Sequence, residues 1–338
     1  MEEARFYEKR PAQKVQCYLC SHRCLILPDK LGICGVRRNI DGTLYSLVYG
    51  KAIADQVDPI EKKPFFHFYP ASQSFSIATV GCNFRCLNCQ NFSISQIINN
   101  GGRIIGKGLS PEQIVESAAY NRCESIAYTY TEPTIFLEYV LDTARLAKSK
   151  GIKNVLVTNG YITPEALKAS HSFIDAANID LKGFHDRRYQ RMCGAKLQPV
   201  LDSIRLYHEL GIWTEVTTLI IPNHNDSPEE LEQIARFLVG IDPAIPWHVT
   251  QFCPTYKLID ESRTPKETLQ RARDIGLNAG LRYVYTGNIP GDAGENTYCY
   301  QCKNVIIKRR GFFVEANTIQ EGSLCPSCGA KIDGVGLS

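Results

Sequence analysis

Nowhere does the chain string together the about 18 apolar residues that a bilayer-spanning helix needs, so no membrane span is expected. It also lacks a charge excess. Its 38 Lys+Arg stand against 35 Asp+Glu, a formal net charge of +3, which argues against a protein whose main work is gripping a phosphate backbone. Met1 to Arg10 alternates charges without an apolar h-region, so no secretory leader is expected and the cytoplasm is the expected location. There is no low-complexity tract and, beyond an alternation of strand and helix patterns, no internal repeat. At 338 residues, 44% hydrophobic and 22% charged, the composition is that of an ordinary globular chain able to bury a full core.

Cysteine is the abundant exception, with 14 in all. They fall in groups: four within residues 17–34, three within 82–89 and four within 299–328, leaving Cys123, Cys193 and Cys253 alone. In a reducing compartment such grouping points to metals instead of disulfides. Cys123 and Cys193 read as small buried hydrophobes.

Between about residues 74 and 290, short β-branched runs alternate with helical patterns. Strands are expected at Ser76–Val80, Ser125–Tyr130, Asn154–Asn159, Asn178–Leu181, Thr214–Ile221, His248–Phe252 and Arg282–Thr286. Ser110-Pro111, Thr163-Pro164, Ser227-Pro228 and Thr264-Pro265 each offer a capping hydroxyl followed by proline at the first helical position. Gly151, Gly211 and Gly280 are placed to end helices. Such repetition builds a parallel sheet. Six or seven units are too few for a closed eight-stranded barrel, so the expected fold is α/β, a partial open (β/α)6 TIM-like barrel with function at the C-terminal strand ends. The expected division is a Cys-rich N-terminal domain over 1–70, the barrel over 71–290 and a zinc-ribbon-like domain over 291–338.

Gly81-Cys82-Asn83-Phe84-Arg85-Cys86-Leu87-Asn88-Cys89 follows the first strand of that barrel. Thiolates spaced Cys-x3-Cys-x2-Cys on one tight loop can wrap three corners of a cubane and leave one iron open. A zinc site with a distant fourth ligand, or three buried structural thiols, is the plainer alternative. The spacing resembles the signature of radical S-adenosylmethionine (SAM) enzymes. The surrounding residues, including Asp58-Pro59-Ile60-Glu61-Lys62-Lys63-Pro64 and Cys89-Gln90-Asn91, are similar to glycyl-radical-enzyme activases and, more closely, to the AmmeMemoRadiSam radical SAM family, over nearly the whole chain. That resemblance implies a [4Fe-4S] cluster on Cys82, Cys86 and Cys89, and SAM chelating the open iron. It implies reductive cleavage to a 5′-deoxyadenosyl radical and hydrogen abstraction from a substrate. It also implies an electron donor such as ferredoxin or flavodoxin, a substrate that is a protein, a small molecule or an RNA base, and an association with Memo-like partners. Many members carry an aromatic before the third cysteine. Here Asn88 stands there, so an adenine contact at that point would use the backbone.

Three strand ends offer SAM contacts. Glu132, in Thr129-Tyr130-Thr131-Glu132-Pro133, can accept from the SAM ammonium; as a plain structural feature it would only start the next helix. Asn159 can hydrogen-bond the ligand or simply turn the chain. On one strand face, Asp180 can meet the ribose or a peptide and Lys182 the SAM carboxylate, or the two form a local ion pair. His248, Gln251, Cys253 and Asn223-His224-Asn225-Asp226 lie near later strand ends and are candidates for a substrate pocket by position alone.

Cys299, Cys302, Cys325 and Cys328 form two knuckles separated by residues 303–324, the spacing of a structural zinc ribbon, with Val305–Lys308 and Gly311–Val314 as its hairpin. A rubredoxin-like iron is the rival. Lys308-Arg309-Arg310 reads as a solvated basic turn. Cys17, Cys20, Cys24 and Cys34 complete a second closed set for zinc or an auxiliary Fe–S cluster, which thiolate count does not separate. The competing overall reading is a SAM-independent, zinc-stabilised scaffold whose central cluster senses redox state.

Overall fold

In the computed structural model, which describes residues 1–338, the central sheet takes its strands in sequence order. These are β1 (Ala54–Pro59), β2 (Gln73–Ala78), β3 (Ser125–Tyr128), β4 (Lys153–Thr158), β5 (Ala176–Asp180), β6 (Trp213–Ile220), β7 (Trp247–Gln251) and β8 (Val284–Gly287). β2 to β8 are parallel, each beside its predecessor, and β1 joins β2 antiparallel at the edge. Sequential order without a switch point is barrel winding, and β8 never pairs with β1, so the barrel is open. All seven expected parallel strands are present. Their bounds shift where composition misleads: β5 starts at Ala176 and not Asn178, because alanines carry little strand signal of their own.

Besides the single turn Phe92–Ser95, the helices are α1 (Pro111–Tyr120), α2 (Leu137–Ser149), α3 (Pro164–Ser170), α4 (Asp186–Cys193), α5 (Gln198–Glu209), α6 (Pro228–Val239) and α7 (Lys266–Asn278). Ser110, Thr163 and Ser227 cap α1, α3 and α6 through their hydroxyls, with proline next. Thr264 does not cap α7. Pro265 occupies that position, while the Thr264 hydroxyl accepts from Phe252 N and donates to Ile220 O, tying the ends of β6 and β7 together.

The N-terminal segment folds as short antiparallel pairs. Arg37–Ile40 meets Thr43–Ser46 across Asp41-Gly42, both at positive φ, the backbone a two-residue hairpin requires. Its apolar side chains Val15, Leu19, Ile26, Val36 and Leu44 belong to one continuous core with the barrel. At the other end β9 (Thr297–Tyr298), β10 (Val305–Arg310) and β11 (Phe313–Asn317) make an antiparallel sheet. Ile306, Ile307, Ile332 and Leu337 of this region pack with Phe66, Tyr283 and Tyr285 of the barrel.

This last contact fills the open side. After β1 the chain enters the barrel lumen, where Phe66 N and His67 N donate to the Glu215 carboxylate of β6 at 3.1 and 2.9 Å. Arg309 of β10 reaches the same segment. Its guanidinium donates to Phe66 O at 2.8 Å, lies 4.3 Å from the Phe66 ring centroid and stands 3.8 Å from Glu61. The basic run is therefore not a solvated turn. Strand alternation buries Arg309 and leaves Lys308 and Arg310 outside.

Candidate active site

The loop after β2 carries the three central cysteines. Gly81 has φ +96°, and a Cβ there would stand 2.5 Å from Val36 Cγ1 and 3.0 Å from Cys34 O, so only glycine lets the loop pass so close to the N-terminal segment. The end of α4 clamps the loop, with Arg85 N and Leu87 N donating to Cys193 O and Met192 O at 2.8 and 2.9 Å. Phe84 N donates to Cys82 Sγ at 3.3 Å, and Cys89 Sγ lies 3.1 Å from Ser95 Oγ. Burial, then the nearby Glu132, raises the Cys82 pKa. Cys86 goes the other way, because a hydrogen bond from Cys193 lowers its pKa despite burial. Cys193 is thus more than core filler, since it lies against a central thiol. No local sequence signal pointed to it. Cys123 is simply buried in the core.

A cavity of about 480 Å³ opens beside these sulfurs, within the roughly 300–1,000 Å³ of small-molecule sites. Its walls include Cys82, Cys86, Cys89, Asn88, Thr129, Tyr130, Thr131, Asn159, Asp180, Lys182 and His248. Four of the residues expected to hold SAM, Asn88, Asn159, Asp180 and Lys182, therefore face one space with the three cysteines. Lys182 Nζ pairs with Asp180 Oδ2 at 2.9 Å. Burial opposes the ammonium charge, yet Asp180, Cys86 and Cys193 outweigh it and raise its pKa.

Glu132 is placed differently from the expectation. It is fully buried and does not line the cavity. Its carboxylate accepts from Thr134 N and Oγ1 at 3.0 and 2.6 Å, from Thr158 Oγ1 at 2.7 Å and from Asn159 N at 2.8 Å. Those donors occupy it inside the wall, where it braces Asn159.

The strand ends after β6 and β7 divide as well. His248 faces the cavity with Nε2 2.6 Å from Glu215 Oε2. Gln251 donates to Thr264 O, Asn225 caps its own turn through Ile221 N and Leu219 O, and His224 pairs with Glu261; none of these, nor Cys253, lines the cavity.

The segment Asp58–Pro64, charged but without a derivable role in the sequence, contributes Glu61, Lys62, Lys63 and Pro64 to the cavity wall. Asp58 accepts from Lys62 and Lys63 at 2.8 and 2.6 Å, from Tyr130 OH at 2.6 Å and from Ser76 Oγ at 2.7 Å. These donors overcome burial and hold its carboxyl below the usual carboxylate range. Gly311 and Phe312, at the tip of the β10–β11 hairpin, complete the rim.

A sequence model of the Radical SAM superfamily matches residues 76–238, a span that includes all three central cysteines. The chain is also 47% identical over 335 residues to an uncharacterized protein of Methanocaldococcus jannaschii, MJ0808, covering 98% of this chain and 99% of that one. The chain belongs to the radical SAM superfamily. This radical SAM enzyme is related to activases of glycyl radical enzymes. It is 25% identical over 217 residues to a putative glycyl-radical enzyme activating enzyme of M. jannaschii, MJ1632, covering 61% of this chain and 78% of that one. It is 24% identical over 170 residues to the pyruvate formate-lyase-activating enzyme of Clostridium pasteurianum, covering 48% and 67%. The fold matches Streptococcus suis SuiB bound to S-adenosylmethionine with a TM-score of 0.51 at 14% identity, over 68% of this chain and 53% of that one.

Radical SAM enzymes use a [4Fe-4S] cluster and SAM, and the residues present fit both. Three thiols with N–H and O–H neighbours converge on a polar cavity, and Gly81 gives the loop its room. The C-terminal cysteines form a second candidate centre. The sulfurs of Cys299, Cys302, Cys325 and Cys328 all lie within 4.8 Å of one another, with Cys299–Cys328 and Cys302–Cys325 at 3.7 Å. That is a closed four-thiolate set able to hold one metal ion. No helix is long and apolar enough to cross a membrane.

Proposed function

We propose that this radical SAM enzyme binds SAM in the cavity beside Cys82, Cys86 and Cys89 and uses it to abstract hydrogen from a substrate entering between Phe312 and the Glu61–Pro64 wall. The observation that carries the reading is the meeting of the three thiols with Asn88, Asn159, Asp180 and Lys182 around one space. Cys82, Cys86 and Cys89 would hold a [4Fe-4S] cluster, which when reduced would supply the electron for cleavage of SAM. The chain's own residues bind and orient. Lys182 offers a cation to the SAM carboxylate, Asp180 an acceptor to the ammonium or ribose, and Asn159, held by Glu132, fixes the wall nearest Cys82.

The relationship to glycyl-radical activating enzymes supports a protein substrate and a one-electron donor such as ferredoxin or flavodoxin. Phe312, exposed and lining the cavity, suits such a docking, with exposed Phe313 next to it in the chain. Zinc is the proposed metal of the C-terminal set, since sulfurs 3.7 Å apart match a tetrahedron with Zn–S near ~2.3 Å. A division at about residues 70 and 290, a cytoplasmic location and membership of the AmmeMemoRadiSam group with its Memo-like partners belong to the same proposal.

The test is electron paramagnetic resonance of anaerobically reconstituted, dithionite-reduced protein. Addition of SAM should perturb the signal of the cluster whose iron it ligates. A signal indifferent to SAM would favour the redox-sensing scaffold.

A further inference from the structure

Three groups of cysteines lie in this chain, and their sulfur spacings sort them. The C-terminal four draw together within 4.8 Å, as ligands of one ion must. No three of Cys17, Cys20, Cys24 and Cys34 do so, and neither do Cys82, Cys86 and Cys89. Thiolates on the corners of a cubane stand farther apart than those around a single ion, because the cluster itself occupies the space between them.

The N-terminal four are nonetheless one group. Cys17 N donates to Cys24 O at 2.9 Å, and each of the four thiols lies within electrostatic range of the other three. A buried cation faces them. Arg37 is 2% exposed and donates through Nη2 to Glu138 and Arg5 O, but its Nε and Nη1 have no partner at all. Burial works against the guanidinium charge, while Glu138, Cys17 and Cys34 act to raise its pKa. Two unpaired, buried N–H groups beside a thiolate set call for an acceptor that the protein does not provide.

We infer that Cys17, Cys20, Cys24 and Cys34 hold a second [4Fe-4S] cluster and not a zinc ion, with the free N–H groups of Arg37 directed at its sulfurs. The comparison rests on the reading that Cys82, Cys86 and Cys89 carry the first cluster. The two sites adjoin. Cys34 O borders Gly81, and His22, between Cys20 and Cys24, lies with Nε2 2.8 Å from Asn83 O, one residue past Cys82. The second cluster thus sits where it sets the electrostatic environment of the first.

Iron and acid-labile sulfide distinguish the metals, because a zinc site contains no sulfide. Anaerobically reconstituted wild type should contain about eight irons and about eight sulfides per chain. A Cys82→Ala/Cys86→Ala/Cys89→Ala variant should keep about four of each, with a dithionite-generated signal of a reduced cubane, and Cys20→Ser/Cys24→Ser should remove that half and leave the other. Wild type holding only about four sulfides, all lost with Cys82, Cys86 and Cys89, would overturn the inference while leaving the central cluster standing. Four sulfides lost only with Cys20 and Cys24 would instead overturn the central assignment.

Discussion

The side-chain amide of Asn159 donates to Asn83 Oδ1 at 2.8 Å and lies 3.9 Å from Cys82 Sγ. This link joins the end of β4 to the loop that holds the central thiols. Asn159→Asp would replace a donor with a negative charge beside Cys82 and Asn83 Oδ1. A carboxylate there disfavours adding an electron to the cluster, so the midpoint potential of the central cluster should fall in a titration followed by electron paramagnetic resonance. An unchanged potential would show that Asn159 does not act on that sulfur.

Glu132 braces Asn159 from behind. In Glu132→Gln, retaining the oxygen that serves Thr134 and Thr158 turns the amide toward Asn159 N, donor against donor. The expected loss is about 2–3 kcal/mol of stability, measured by denaturant unfolding without SAM. A direct ammonium ligand would predict the reverse: unchanged stability in the absence of SAM and weaker SAM binding.

His67 gives the fold an acid-sensitive point. Its ring is fully buried between Asp333 O, which accepts from Nδ1, and the Tyr285 hydroxyl, which donates to Nε2. The neutral ring satisfies both contacts, donating at Nδ1 and accepting at Nε2. Burial lowers its pKa from 6.5 to about 4. The unfolded chain therefore binds this proton below pH 6.5 while the native fold resists it to about pH 4. Stability attributable to His67 falls across that window as pH drops, by about 3 kcal/mol in all, and is unaffected above it. His67→Gln, which keeps a donor and an acceptor without titrating, should flatten the acid limb of stability against pH. An equally steep limb would assign it to other groups.

Arg309 and Lys308 are neighbours with opposite fates. Arg309→Ala leaves Phe66 O and the buried Glu61 without their cation, and should cost about 3–5 kcal/mol. Lys308→Ala removes only an exposed pair with Glu315 and should stay within about 0.5 kcal/mol. Equal effects in urea unfolding would contradict the docking of the hairpin into the open side of the barrel.

These cases show what was legible before the fold was known. The strands, three of four hydroxyl caps and the central thiols carry local signals, namely β-branched runs, Ser/Thr-Pro pairs and fixed cysteine spacing. Placing function at strand ends was enough to gather Asn159, Asp180 and Lys182 on one cavity. The bracing role of Glu132 has no local signal, because its partners Thr158 and Asn159 lie on the next strand and no local pattern reports how many donors a carboxylate will meet. Arg309 and His67 escaped for the same reason. Their partners Phe66, Glu61, Tyr285 and Asp333 are remote in sequence, so only the threading of residues 60–68 through the lumen brings them together. Cys193 had no motif and is defined solely by its contact with Cys86.

The most direct test of the central claim is the product of the reaction. Protein reconstituted anaerobically with iron and sulfide, reduced with dithionite and given SAM should form 5′-deoxyadenosine, and Cys86→Ala should form none while remaining folded. Undiminished 5′-deoxyadenosine from the Cys86→Ala protein, or none from a fully loaded wild type with SAM bound, would contradict the account.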